Sequence, residues 1–338
     1  MITATRRIVL SVLLTFALFQ TLPAQAAGVI RLDRIVVTVS DLAHTERFYR
    51  EGLGFERVAR ETRDDPALAH LLGVEHAKLH VLVMRLGEEE VEFDQYDRPG
   101  SRYPIDSRSP DHWFQHFAII VADMPRAYEH LRRHIRIKPI SDASPQTLPE
   151  QNGHVQAFKF RDPDGHPLEV LYFPPGQGRP VWQKPDGKRL FLGIDHSAIA
   201  VSDTPKSLDF YTRLLGMKPA YAIINRGPTQ EHLDGAFNAV VEITGLRPES
   251  PQGPGVEFLD YRTPVTGRAA PPDIASNDIQ HVHLRFAVDN LDAMAKDLFA
   301  QRVLFVSPGV VELDRGQYGY EKALMIRDPD GHDLLLTQ

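Results

Sequence analysis

The chain has 338 residues, a formal net charge of −7 and no cysteine. That length allows one large or two ordinary domains. The lack of thiols excludes disulfides and thiolate metal sites, so any metal must sit on His, Asp or Glu. No basic stripe stands out against the acidic balance, which argues against a nucleic-acid partner.

Residues 1–27 have the layout of a secretory signal peptide. MITATRR is basic and free of acids, IVLSVLLTFALF is an apolar run of twelve residues, and Ala24-Gln25-Ala26 has the small-x-small form of a cleavage site. The run is short for a membrane span, and Thr5-Arg6-Arg7 resembles a twin-arginine export signal. The expectation is a periplasmic or secreted protein without a stable membrane anchor after cleavage. Loss of Arg6 and Arg7 takes its charge from −7 to −9.

The remainder repeats itself. RIVVTVSDLAHTERFYREGLGFE (Arg34 to Glu56) aligns with HSAIAVSDTPKSLDFYTRLLGMK (His196 to Lys218). Val39-Ser40-Asp41 matches Val201-Ser202-Asp203, Phe48-Tyr49 matches Phe210-Tyr211, and Gly54 matches Gly216. Each copy predicts an alternating strand, a helix capped by Ser-Asp, and a closing glycine. The Phe-Tyr pairs fall on helix faces and read as core. The same grammar returns from His116 and from His283, and each time runs into an RDPDGH segment, FRDPDGHPLEV or IRDPDGHDLLL. Asp-Gly between apolar strands predicts a hairpin turn, and the adjoining His166 and His332 read as surface or structural residues. A third correspondence pairs EVEFDQYDRP with GVEFLDYRTP and aligns Glu92 with Glu257. Glu88-Glu89-Glu90 reads as a solvated turn.

The expected fold is therefore α+β, with four β-α-β-β-β modules near 32–100, 112–173, 193–265 and 279–338. They form two halves, 28–173 and 191–338, joined by a linker at 174–190 that is rich in Pro, Gly, Lys and Gln. Strand–Ser-Asp–helix–Phe-Tyr–Gly, then Val-Glu-Phe-x-x-Tyr, then Asp-Pro-Asp-Gly, resembles the vicinal oxygen chelate superfamily. That group includes glyoxalase I, extradiol dioxygenases and bleomycin-resistance proteins, and the resemblance spans essentially all of the chain after residue 27.

The resemblance implies that paired modules curl into a cup and offer ligands from the first and last strand of each module. Here the first-strand positions are Arg34, His116, His196 and His283, and the last-strand positions are Glu92, Glu169, Glu257 and Leu335. Imidazole and carboxylate suit a divalent first-row ion such as Zn, Ni, Fe or Mn. Two carboxylates also cancel its charge. Pairing within halves gives two cups with three ligands and one misfit each. Crossed pairing, the preferred arrangement, gathers His116, Glu169, His196 and Glu257 in one cup and leaves Arg34, Glu92, His283 and Leu335 in the other. Register against Val121 and Val288 selects His283 over His281, and Glu92 is expected to pair with Arg34.

The implied activity is that of a glyoxalase-like lyase or isomerase. Its ion would chelate two vicinal oxygens of a small molecule and stabilise a developing enediolate, with Glu169 or Glu257 as general base. His232, Tyr318 and Tyr320 are candidate proton donors. Two alternatives stay open: an extradiol-type iron(II) dioxygenase using His196, Glu257 and His283, and a non-catalytic, bleomycin-resistance-like binder. Four internal modules satisfy pairing in a monomer and leave a homodimer open.

Overall fold

The computed structural model describes residues 28–135, 137–184 and 187–338, so the predicted export signal lies outside the described residues. Among those described, no helix is long and apolar enough to cross a membrane.

The first module runs β1 (Val29–Thr38), α1 (Leu42–Arg47, continued by a π-turn over Phe48–Gly52), β2 (Glu56–Arg63), α2 (Pro66–Leu72), β3 (Leu79–Leu86) and β4 (Glu89–Tyr96). The second runs β5 (Gln115–Val121), α3 (Met124–His134), the short β6 (Lys138–Pro139) and β7 (Gln146–Thr147), then β8 (Gln156–Arg161) and β9 (Pro167–Tyr172). The third repeats the first, with β10 (Phe191–Ala200), α4 (Thr204–Asp209 plus the π-turn Phe210–Leu214), β11 (Lys218–Arg226), α5 (Pro228–Asp234), β12 (Val240–Arg247) and β13 (Gly255–Thr263). The fourth repeats the second: β14 (Val282–Val288), α6 (Leu291–Ala300), β15 (Leu304–Phe305), β16 (Val311–Glu312), α7 (Arg315–Tyr318), β17 (Lys322–Arg327) and β18 (Asp333–Thr337).

Local chemistry explains why the modules look alike. Each first helix starts at a side-chain cap: Asp41, Asp123, Asp203 or Asn290 accepts from an amide of the opening turn. In the RDPDGH turns Asp162 and Asp328 accept from backbone amides two to four residues on. Gly165 and Gly331 occupy the positive-φ position there, at 105° and 96°. The same two aspartates take the buried hydroxyls of Tyr49 and Tyr211, at 3.2 and 3.1 Å. Identity of the two segments thus serves packing between neighbouring modules. His166 and His332 are buried rather than at the surface, and their Nε2 atoms meet the backbone oxygens of Ile279 and Ala200.

The strands pair in the crossed arrangement. One sheet has the order β15-β17-β18-β14-β1-β4-β3-β2 with β16 on β17, and the other has β11-β12-β13-β10-β5-β9-β8-β6 with β7 on β8. Modules one and four meet at the antiparallel β1–β14 seam, modules two and three at β5–β10. Each sequence half therefore supplies one module to each sheet, and one continuous apolar core draws on both sheets. The segment read as a linker is more than a spacer: it forms a 3₁₀ turn at Pro180–Gln183 and buries Trp182. Glu89 also departs from its solvated reading. It is buried, it accepts from the Ile194 amide, and burial pushes its carboxyl up to about 6.

Candidate metal centre

Strand register builds the site at the β5–β10 seam. Across it Ala198 faces His116 and His196 faces Ala118. Glu257 stands beside Ala198, and Glu169 beside Ala118. Two rows result, Glu257–Ala198–His116 and Glu169–Ala118–His196. Because alternate residues share a face, all six side chains point the same way. A methyl group at the centre of each row leaves room for the longer side chains to lean inward. All four polar residues are buried.

His116 Nε2 lies 3.2 Å from Glu169 Oε2. His196 Nε2 lies 4.0 Å from that oxygen and 3.3 Å from Glu257 Oε2. One donor atom each from His116, Glu169 and His196 falls within a 4.8 Å cluster. Glu257 touches this trio through His196, while its Oε1 accepts from the Tyr221 hydroxyl. The Tyr221 ring reaches that far because residue 245 is glycine, for a Cβ there would lie 2.3 Å from the ring.

Burial would lower the His196 pKa, but Glu257, Asp195 and Glu169 outweigh it and raise it to about 9. Burial pushes His116 down against the pull of Glu169. Glu169 would rise on burial, yet Lys159 and the two imidazoles hold it at about 2. Lys159 is buried with its Nζ 2.7 Å from Asp234.

The donor set fits a divalent ion. His196 Nδ1 is tied to Asp195 Oδ2 at 3.2 Å, while its Nε2 is buried without a hydrogen-bond partner. A carboxylate on one imidazole nitrogen, with the other free of hydrogen bonds and close to two further carboxylates, is the pattern of a supported metal ligand. Asp195 is fixed in turn by Trp182 Nε1 at 2.9 Å, and Arg247 lies 3.5 Å away. Two anionic carboxylates and two imidazoles complement a dication.

The equivalent place in the other sheet is closed. Its rows are Glu92–Val36–His283 and Leu335–Arg285–Arg34. Val36 and Arg285 stand where the first cup has Ala198 and Ala118. Glu92 is gripped by Arg34, Arg63 and Arg285 at 2.8, 2.5 and 3.4 Å. Burial would raise the Glu92 pKa, but the three guanidinium groups hold it well below the usual carboxylate range. Burial drives His283 down to about 3, with His281 adding to the effect. Apolar side chains including Val81, Val83, Met325 and Leu335 pack this cup.

The structure therefore brings His116, Glu169, His196 and Glu257 together, whereas the alternative set is split, with His283 on the other sheet. Tyr318 and Tyr320 also belong to the closed cup. Tyr318 donates to Asp65, and the Tyr320 ring lies 5.6 Å from the Arg285 guanidinium carbon. His232 is half-exposed on α5 and pairs with Asp142 at 2.6 Å.

Sequence reasoning overlooked Asp195, Lys159, Tyr221 and Trp182. Simple alternation sends Asp195 to the face opposite His196, but a register shift between Ile194 and His196 places it in a bulge. The Asp-His dipeptide and a lysine between two phenylalanines in FKF were the available signals.

A family model described as the Glyoxalase/Bleomycin resistance protein/Dioxygenase superfamily matches residues 31–170 and 193–336. A 2-epi-5-epi-valiolone epimerase from Actinomyces sp is 28% identical over 156 residues, which is 44% of this chain and 82% of the epimerase. Among solved structures, glyoxalase I from Zea mays aligns over 91% of this chain and 92% of its own, with TM-score 0.55 and 17% identity. A provisionally assigned dioxygenase from Bacillus subtilis aligns over 92% and 86%, with TM-score 0.54 and 15% identity. At such identities the structural likeness speaks for fold alone.

Proposed function

Because the chain belongs to the glyoxalase/bleomycin resistance protein/dioxygenase superfamily, we propose that it is a metal-dependent enzyme acting on a small molecule next to a carbonyl, by isomerisation, epimerisation or lyase chemistry. The observation that carries this reading is the convergence of His116, Glu169, His196 and Glu257 over two alanines at the β5–β10 seam. These four residues would hold a divalent ion (Zn, Ni, Fe or Mn). Such an ion, when bound, polarises a carbonyl and acidifies the neighbouring C–H.

The chain's own groups divide the remaining work. Asp195 fixes the His196 tautomer, and Lys159 keeps Glu169 ionised. Glu169 is buried within the trio, its Oε2 3.2 Å from His116 Nε2, so it serves as an anchor. Glu257 meets the trio at one edge only and shares a hydrogen bond with Tyr221 at the cavity wall. It is the better placed of the two to take a substrate proton and return it, with the Tyr221 hydroxyl as relay. The Actinomyces sp epimerase supports proton removal and return at a carbon as the reaction type.

The extradiol alternative loses support because His283 stands in the other sheet. Export to the periplasm or beyond belongs to the same proposal and rests on the arginine-flanked apolar run before Gly28. The assembly is a monomer or a homodimer.

The test has two arms. Elemental analysis of the wild-type chain is expected to find one divalent ion per chain, and Glu169→Gln to lose it. In deuterated water the loaded chain is expected to exchange the C–H beside the carbonyl of a bound small carbonyl compound. A chain that takes up no ion at saturating Zn, Ni, Fe or Mn contradicts the proposal.

A further inference from the structure

The stretch that joins the two halves runs along the candidate site. Phe173 and Gln177 line the cavity of about 220 Å³ over the four-residue cluster. One side chain clasps the turn between them and the next helix turn. Gln183 Nε2 donates to the backbone oxygens of Pro174 at 3.2 Å and Gln177 at 2.6 Å, and its Oε1 accepts from the Gly176 amide at 3.0 Å. Next to Gln183 stands Trp182, whose indole reaches the carboxylate behind His196.

Trp182 sits in a slot cut for it. Residue 193 on β10 is glycine, and a Cβ there would lie 2.8 Å from the indole ring and 2.5 Å from Glu89 Oε2. The Arg179 guanidinium carbon lies 5.1 Å from the ring centroid and adds a cation–π contact. So seated, Trp182 Nε1 donates to Asp195 Oδ1 at 2.9 Å, while Asp195 Oδ2 lies 3.2 Å from His196 Nδ1. The terminal torsion of an aspartate is soft. With one oxygen pinned by the indole, the other is held towards the imidazole, and that sets where His196 Nε2 points.

The duplication supplies an internal comparison. At the offset that aligns Val39 with Val201, Asp195 corresponds to Asp33, His196 to Arg34 and Gly193 to Arg31. A register shift of the seam falls at both aspartates, so the fold keeps the irregular strand and its carboxylate in both sheets. In the closed cup, however, Asp33 pairs with Arg31, the residue in the place of the glycine. The chain has one other tryptophan, Trp113, and its Nε1 donates to Ser107 Oγ at 3.1 Å. The cleared slot and the indole thus accompany the cup that has the imidazoles.

We infer that Trp182 is a positioning residue of the proposed metal centre: through Asp195 it aims His196 Nε2 at the ion, a role that rests on the metal reading and makes the joining segment part of the site.

The experiment is a titration of the full chain, against a chelating dye, with whichever of Zn, Ni, Fe and Mn the wild type binds most tightly. Trp182→Phe keeps a ring in the slot and removes the N–H. It is expected to weaken the ion about tenfold. Asp195→Ala and the double variant complete a cycle. Because the indole acts through Asp195, adding Trp182→Phe to Asp195→Ala is expected to change the affinity by less than about twofold. Gly193→Ala drives a Cβ into the indole from the other side and, as the second variant, is expected to weaken the ion as Trp182→Phe does. Unchanged affinity in a folded Trp182→Phe chain overturns the inference. So does a tenfold loss that recurs in full on the Asp195→Ala background, which would make the effect of the indole independent of that carboxylate. A wild-type chain that takes up none of the four ions overturns the metal reading and this role with it. The first two outcomes leave the metal reading standing, so the failures are distinguishable.

Discussion

Replacing Glu92 with leucine isolates what the closed cup is for. The carboxylate is 2% exposed and lies within 3.4 Å of three guanidinium groups, those of Arg34, Arg63 and Arg285. Arg63 and Arg285 are themselves buried, so the leucine would leave them with Asp94 as the buried carboxyl group nearest to hand. Removing one partner of a buried ion pair costs about 3–5 kcal/mol. Arg34 keeps Glu90 and Arg63 keeps Glu61, which places the expected loss near the lower end, about 3 kcal/mol. Equilibrium urea unfolding of the metal-free chain measures it. The sign with pH follows from the depressed Glu92 pKa. Its contribution is fully present above the ordinary carboxylate range and is lost as pH falls toward the folded value. The gap between wild type and Glu92→Leu is therefore expected to shrink below about pH 4. A loss under about 1 kcal/mol, or a gap that does not depend on pH, refutes the view that this carboxylate neutralises a buried arginine cluster.

Asp195→Asn removes the carboxylate behind His196 and is expected to weaken metal affinity about 10- to 100-fold, read by competition with a chelating dye. Gly245→Ala drives a Cβ into the Tyr221 ring; unfolding should show a cost of about 1–3 kcal/mol, and ultraviolet difference spectra a displaced tyrosine. Glu89 is held up at about 6 by burial, so it favours the fold below the ordinary glutamate value and loses that contribution as pH rises through 6. Glu89→Gln should remove that loss, about 2 kcal/mol, from the stability profile between pH 4.5 and 7. Tyr49→Phe deletes the bond to Asp162 and should cost about 1 kcal/mol in the same unfolding assay.

The four-module plan was legible because repeats at a constant offset report structure without any tertiary information. The same alignment set Glu169 against Leu335, and that mismatch marks the cup with the carboxylate from the cup without it. What the alignment could not supply was the company each residue keeps. Arg285 is an unremarkable residue in HLRFAV until the β1–β14 register sets it between Leu335 and Arg34. Asp195 reads as facing away from His196 until a bulge turns the strand. Trp182 lies in a stretch whose composition reads as a spacer, yet its indole fixes Asp195. Lys159 and Asp234 are separated by 75 positions and meet only through the fold. Residue type and spacing thus revealed the candidate ligands, while their supports depended on sheet pairing and local irregularity.

The central claim is that one cup, built from the second and third modules, holds the ion. Metal titration of His116→Ala and His283→Ala, side by side with wild type and followed by elemental analysis after gel filtration, tests it most directly. Wild type and His283→Ala are expected to retain one ion per chain, and His116→Ala to retain none. Retention by His116→Ala together with loss by His283→Ala would place the ion in the other sheet and contradict the account.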